Sequence, residues 1–590
     1  MDWKFISDYE HSEIEDLTRE IPQLHPVVAE LLVQRGLKGM NEVKRFFNPI
    51  LEELETYGAM KDQEKAAVRL KNAIDQRQKI LLYGDYDVDG TCSVAMTYLF
   101  LKEVGADVSY YIPDRYKEGY GVSEAGVDFA ISNKFDLVIT LDCGIAANRT
   151  LNRIQSAEID VIICDHHLPG DQIPKVFAIM NPQQSDCDFD GKELCGCGVA
   201  LMLLKSISDL LHQKDLWKNY LDYVAVATCC DIVPLRGINR ILVHNGLKKM
   251  NESRSTGIDA LLIAAEYRRN LNVSDVVFKI GPRINAAGRL KHAEMAVNVL
   301  IEQNSEKAVA LALELDKVNN QRKTLDKQVT EEAAHQMMES DPNLEMNCTV
   351  VHHSEWNKGV IGIVASRLIE RCYRPTIVLT EKEGMLTGSG RSVEGFNLFE
   401  AISNCDEHLE QFGGHAAAAG LTLRRDSLDG FIDAFNRQAA NILGESPSRN
   451  PALTIDLAVD FSVWYNDKLR IFWDQYCRLM PFGPEHLPPV FATTNCVASG
   501  LRVMKDEHLK FDVCQKHDRR RKLSVIAFGM ADLYDELAEG NSFDLAYAIE
   551  ENTWRPGSNK NESENKDDSA RANNRPPKIQ LQAKSIMFHT

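Results

Sequence analysis

No apolar run in the 590-residue chain reaches the roughly 18 residues that a membrane-spanning helix needs, so no transmembrane segment is expected. The stretch Met1-Asp2-Trp3-Lys4-Phe5 has neither the basic start nor the apolar core of a secretory signal. The expectation is a cytoplasmic protein with no membrane partner. CxxC pairs are also missing: of 14 cysteines, only Cys195 with Cys197 and Cys229 with Cys230 stand close together. That disfavours a zinc ribbon, and thiols scattered through apolar stretches are read as reduced. Excess positive charge is absent too. With 67 Lys and Arg against 86 Asp and Glu, the net charge is −19, which excludes a histone-like coat of cations and confines any nucleic-acid partner to a local basic track.

What is present is enough apolar material for about three domains, with 44% hydrophobic and 26% charged residues near globular averages. Residues 1–77 carry helical periodicity, as in Val27, Val28, Leu31 and Leu32, and are expected to be an N-terminal helical packing segment. From 78 to 304, short apolar runs (Lys79 to Tyr83, Val108 to Ile112, Leu137 to Leu141, Val161 to Cys164, Phe177 to Met180) alternate with helical stretches. This alternation predicts an α/β domain built on a parallel sheet. Residues 305–340 predict one long helix, because Leu311, Leu315, Val318, Leu325, Val329, Ala333 and Met337 recur at helical spacings, and a helix that long suits a connection between domains. A second α/β domain is expected over 341–445, then a linker from Gly444 to Pro451. The last segment, 450–590, is strand-rich with a polar, mobile loop at about 557–577.

The chemistry sits at strand ends. Ile80-Leu81-Leu82-Tyr83 runs into Gly84-Asp85-Tyr86-Asp87-Val88-Asp89-Gly90, placing three carboxylates at the carboxyl edge of the sheet, where sites form. Carboxylates this crowded repel one another unless cations compensate them, and hard oxygen ligands suit Mg²⁺ or Mn²⁺. A calcium loop fits less well, since it lies between helices and ends in a Glu. Two further strands end alike, in Asp142-Cys143-Gly144 and in Asp165-His166-His167. One such Asp could equally be a helix cap; three strands in agreement point to a metal centre. Asp231, after the apolar helix Tyr223 to Cys230, would by itself be read as a cap.

These segments, with Cys230-Asp231-Ile232-Val233-Pro234-Leu235, resemble the four motifs of the DHH phosphoesterases, and more specifically those of the RecJ family of single-stranded-DNA-specific exonucleases. Also similar to that family, and in its order, are the run from Ile112 to Gly121, GPRINAAGRL from Gly281, GVIGIVASRL from Gly359, GSGRS from Gly388 and FGGHAAAAG from Phe412. One departure stands at Trp356-Asn357-Lys358, where the family pattern has a His after the Trp.

The resemblance implies a DHH catalytic domain over 78–304, a DHHA1-type substrate domain over 341–445 and a C-terminal OB-type barrel. It implies that Asp87, Asp89, Asp142, His166 and Asp231 bind two divalent cations, Mn²⁺ or Mg²⁺, with Asp85 a further ligand, Asp142 the bridge, and His167 facing the scissile phosphate. On residue chemistry alone, Arg283 and Arg289 flank small residues, with Asn285 between them, and suit phosphate contact. Ser389, Arg391 and Ser392 offer donors to an anion, and His415 projects from a stretch with little side-chain bulk; the resemblance implies that these groups help anchor a 5′ phosphate, with Arg115 the other candidate. The basic run Lys516 to Lys522 suits a barrel that grips single strands. The implied function is 5′-to-3′ hydrolysis of single-stranded DNA in recombination and repair, by a monomer working with a RecQ-type helicase and a single-stranded DNA-binding protein. The alternatives are a phosphodiesterase of short oligonucleotides or cyclic dinucleotides, and a non-catalytic Cdc45-like DNA-binding protein.

Overall fold

The apolar, β-branched runs after residue 78 need both faces covered, and they form one five-stranded parallel sheet. The structure, a computed structural model, describes residues 2–444, 452–465, 468–552 and 578–589. The linker expected beyond Gly444 and the loop expected at 557–577 lie outside the described residues. Strands β1 (Lys79–Gly84), β2 (Asp107–Tyr111), β3 (Leu137–Leu141), β4 (Asp160–Cys164) and β5 (Ala178–Met180) line up in the order β2-β1-β3-β4-β5. Every neighbouring pair is parallel. The chain reverses its direction of travel between β1 and β3, which makes the crevice at their carboxyl ends the switch point where such sheets bind ligands. Helices α1 (Val88–Glu103), α2 (Gly196–Leu210) and α3 (Leu221–Cys230) are almost wholly buried, as expected for helices covering a sheet buried on both faces.

Further on, a π-helical turn (Val276–Ile280) leads into α4 (Gly281–Leu290), and α5 (Ser305–Ser340) follows. Its 36 residues give a length of about 54 Å. The first turns of α5 place Ala308, Ala312 and Leu315 in the core around the parallel sheet; the last place Val329, Ala333 and Met337 against Val351, Trp356 and Val360 of the next domain. That domain has β6 (Thr349–His353), α6 (Ile361–Arg371), β7 (Thr376–Lys382), β8 (Met385–Arg391), β9 (Gln411–Gly414), β10 (Ala418–Arg424) and α7 (Leu428–Leu443). The sheet order is β9-β10-β8-β7-β6, antiparallel except between β6 and β7.

Two compact units emerge, residues 51–451 and residues 1–50 with 452–590. By its packing, the N-terminal segment is shared between the two units, with the change at Ile50. The helix Gln63–Asp75 buries Ala66, Leu70 and Ala73 in the core around the parallel sheet, whereas Leu17, Val28, Leu31 and Leu32 share a core with Phe472 and Tyr476 of the C-terminal segment. A half-buried pair of Arg35 with Asp456 at 3.3 Å and the parallel pairing of Trp3–Phe5 with Leu453–Ile455 tie the second unit together. Its strands Phe491–Met504, His508–Gln515, Asp518–Ala527, Ile579–Phe588 and Phe543–Glu551 pair in that order, and the last closes onto the first as a barrel. Lys516, Arg519, Arg520, Arg521 and Lys522 are exposed on one hairpin of it. All 14 cysteines are free thiols. No described helix is long and apolar enough to cross a membrane.

Candidate active site

Three strand ends and the end of α3 deliver their polar residues to one place. Asp87 caps α1, its Oδ1 accepting from the Gly90 amide at 3.0 Å, and the first turn carries Asp89 inward. Asp89 is fixed by two amides at the start of α2, accepting from Gly196 at 2.6 Å and Cys197 at 2.8 Å. Of the close cysteine pair, Cys197 thus serves through its backbone amide, while Cys195 caps α2 with its Sγ, which accepts from the Gly198 amide at 3.4 Å. Asp142 follows β3 in the left-handed region, φ 60°, and packs so tightly that a Cβ on Gly196 would come within 2.7 Å of its side chain. His166 Nε2 lies 3.2 Å from Asp142 Oδ1, 3.6 Å from Asp231 Oδ2 and 3.9 Å from Asp89 Oδ2.

Burial lowers the His166 ring from its ordinary value, which favours the neutral form that offers a lone pair. Burial, then repulsion by neighbouring carboxylates, raises Asp85, Asp89 and Asp142 and pushes Asp231 up to about 9. Among the described residues, Asp85 Oδ1, Asp142 Oδ1, His166 Nε2 and Asp231 Oδ2 are buried with no hydrogen-bond partner. Buried polar atoms are ordinarily satisfied, so carboxylate oxygens and an imidazole nitrogen converging without partners are a donor set that fits hard divalent cations. Ligand atoms of Asp85, Asp87 and Asp142, of Asp89, His166 and Asp231, and of Asp142, His166 and His167 each lie within 4.8 Å of one another.

His167 is held differently. Its Nδ1 is 2.7 Å from Asp165 Oδ1, and its Nε2 is 3.0 Å from the Tyr120 hydroxyl. Burial disfavours the charged ring, but the hydrogen bond and charge of Asp165 outweigh it and raise the pKa. Asp165 is lowered in turn: its burial is outweighed by His167 and by the Ile145 and His167 amides. Asp165 and Tyr120 are functional candidates that the motif reading passed over. The first residue of Asp-His-His was the available signal for Asp165; nothing in the sequence marks Tyr120 within its run.

Opposite lies a cluster of cations. Glu118 ties down the loop after β2 by accepting from the Tyr111 hydroxyl and the Asp114 amide, each at 2.8 Å, and that loop sets the Arg115 guanidinium 4.8 Å from the Tyr86 ring centroid. The Arg289 guanidinium donates to the Gly359 carbonyl at 3.2 Å, and Arg391 donates to Ser389 Oγ at 2.9 Å. Arg289 is pushed down to about 10 by burial and then by the charges of Arg115 and Arg391; burial and Arg115 also lower Arg391. Arginines depress one another only when close together, and such a group attracts an anion.

The other predicted substrate residues differ in what holds them. Arg283 is 7% exposed, donates to the Lys279 carbonyl and pairs with Asp316 of α5 at 2.7 Å, so it joins α4 to α5 and is spent on packing. Asn285 is half-buried on α4. Ser392 donates its hydroxyl to the Phe396 carbonyl, holding its own turn. His415 is exposed at the turn between β9 and β10. At the departure Trp356-Asn357-Lys358, the indole N–H donates to Glu332 of α5 at 2.9 Å and Asn357 Oδ1 accepts from the Gly359 amide at 2.8 Å.

Comparison with known proteins agrees with this geometry. The chain matches the DHH family N-terminal domain over residues 79–228, the DHHA1 domain over 345–441 and the RecJ OB domain over 459–561. It is 34% identical over 562 residues to the single-stranded-DNA-specific exonuclease RecJ of Bacillus subtilis, covering 94% of this chain and 69% of that protein. The chain belongs to the RecJ family. The Escherichia coli RecJ is 35% identical over 457 residues, 74% of this chain and 78% of that protein. In structure, RecJ of Thermus thermophilus in complex with Mn²⁺ superposes with a TM-score of 0.81 at 26% identity, covering all of this chain and 80% of that one. A Mg²⁺ complex of the same RecJ gives 0.75 at 25% identity.

Proposed function

We propose that the protein is a single-stranded-DNA-specific exonuclease that removes nucleotides from the 5′ end with two divalent cations, Mn²⁺ or Mg²⁺, in DNA recombination and repair. The observation that carries this is the joining, in one unit, of a cluster of unpartnered carboxylate and imidazole atoms with the Arg115, Arg289 and Arg391 group that attracts an anion. Asp85, Asp87 and Asp142 would hold one cation, and Asp89, His166 and Asp231 the other. Asp142 belongs to the first set and its Oδ1 lies 3.2 Å from His166 Nε2 of the second, which supports it as the shared ligand. Bound there, such ions polarise a water and neutralise charge on the scissile phosphate.

The protein's own groups do the rest. His167, whose hold on a proton Asp165 strengthens, would in its protonated form donate from Nε2 toward a phosphate oxygen, exchanging the Tyr120 hydroxyl for it. Ser389 and the three arginines hold the terminal phosphate by charge-assisted bonds, which fixes the strand so that one nucleotide at a time reaches the ligands. In this reading residues 78–304 are catalytic, 305–340 connect, 341–445 bind substrate and 450–590 grip the strand through the barrel. The protein acts as a cytoplasmic monomer supplied with single strands by a RecQ-type helicase and single-stranded DNA-binding protein. A digest with Mn²⁺ of 5′-labelled and 3′-labelled single strands, blunt duplex and dinucleotides tests it. Mononucleotides should appear first from the 5′ end of the single strand, and a preference for dinucleotides or for duplex would refute the assignment.

A further inference from the structure

We propose that Ile232 and Leu168 form an apolar clamp for the nucleobase beside the scissile phosphate; the proposal rests on the exonuclease reading and adds a grip on the base to the grip on the phosphates. Among the described residues, the most exposed large apolar side chains are Ile232 at 78%, Leu168 at 71%, Phe278 at 68%, Leu487 at 67% and Tyr120 at 58%. Three of these five belong to the chain segments that carry the candidate ligands or touch them. Ile232 directly follows Asp231, Leu168 directly follows His167, and the Tyr120 ring stands 5.7 Å from that of His167. The Asp231 carboxylate and the His166 ring are themselves 3.6 Å apart, so the two chain segments that carry Ile232 and Leu168 meet at one cluster.

The backbone sharpens the point at Ile232. Its φ is 60°, in the left-handed region that glycine and asparagine enter easily and a β-branched residue enters only with strain. Folding is served neither by that strain nor by an isoleucine left in water. An apolar partner that arrives with the substrate accounts for both, since strained residues and exposed apolar groups gather at binding sites. The chemistry selects the partner. Neither side chain can bond a phosphate or a sugar hydroxyl, whereas every base offers an apolar face, and contact with that face is tolerant of sequence.

The test uses full-length protein with Mn²⁺ and 5′-phosphorylated single strands, either intact or with tetrahydrofuran abasic residues at the first two positions. Wild type should prefer the intact strand, and Ile232→Gly should lower kcat/KM on it by roughly tenfold, the scale of one apolar side chain removed from contact, chiefly through KM. On the abasic strand the variant should lose little, so the preference for a base collapses. Because Gly relieves the backbone, its thermal midpoint and its Mn²⁺-induced rise should not fall. Ile232→Asn, which also suits this backbone, should reproduce the loss. An Ile232→Gly that keeps the wild-type preference, or that loses Mn²⁺ affinity, overturns the proposal. A wild type that cuts both strands equally overturns this proposal alone, whereas one that leaves intact single strands uncut overturns the exonuclease reading beneath it.

Discussion

Gly359 sits directly against the backbone of Arg289: a Cβ added to it would lie 2.3 Å from the Arg289 carbonyl oxygen and 2.8 Å from the Tyr116 hydroxyl. That hydroxyl donates to the same carbonyl at 2.6 Å, so the loop after β2, α4 and the turn before α6 meet at one point beside the three arginines. Gly359→Ala must push this junction open. Overpacking of this kind costs about 1–3 kcal/mol, and the expected outcome is a lower thermal midpoint together with a weaker preference for 5′-phosphorylated over 5′-hydroxyl strands. A variant with both quantities unchanged would show that the junction yields without moving the arginines.

Asp142 is the proposed ligand whose removal is most informative. Its left-handed φ of 60° suits asparagine, so Asp142→Asn alters charge with little change to the backbone. Hydrolysis should fall by orders of magnitude while single strands still bind. Without cations, the variant should melt higher than wild type, because one of the mutually repelling buried carboxylates is gone; with Mn²⁺ the order should reverse. Melting curves with and without chelator check the sign.

The metal centre was legible because parallel-strand order carries spatial information. Three apolar runs each ending in Asp can only bring those residues together if the strands neighbour one another, and β1, β3 and β4 do. The long helix was legible from its period alone. Arg283 was not, because six positions at about 100° each set it some 240° around α4 from Arg289. Sequence spacing gives that rotation but not which face meets α5. The division at Ile50 was equally hidden: helices before and after it have the same amphipathic pattern, and only their distant partners, Phe472 for Leu31 and the catalytic core for Leu70, tell them apart.

The cluster of Arg115, Arg289 and Arg391 predicts a specific discrimination. A charge-assisted hydrogen bond contributes about 1.5–3 kcal/mol. Arg391→Ala or Arg289→Ala should therefore lower kcat/KM on 5′-phosphorylated strands roughly tenfold or more, with a smaller effect on 5′-hydroxyl strands. Arg283→Ala should act otherwise, lowering stability by breaking its buried pair with Asp316 and leaving the ratio between the two substrates alone. An equal loss on both substrates for Arg391→Ala would assign that residue to general backbone binding.

The barrel unit should be acid-sensitive through His25. The ring is 5% exposed, its Nδ1 lacks a hydrogen-bond partner among the described residues, and it packs edge-on to Phe472 with centroids 5.3 Å apart. Burial, and then the charge of Lys468, pushes it down to about 4. The unfolded chain takes up this proton near the ordinary value of about 6.5 and the folded chain does not. Stability is therefore intact above that pH, falls as pH drops through the interval, and levels off below the folded pKa. The loss reaches at most about 3 kcal/mol. His25→Leu removes the group, so wild type should lose stability relative to this variant between pH 7 and pH 4.5, measured as the difference in urea midpoints. Parallel curves for the two proteins over that range would mean that the ring is protonated without leaving its place against Phe472.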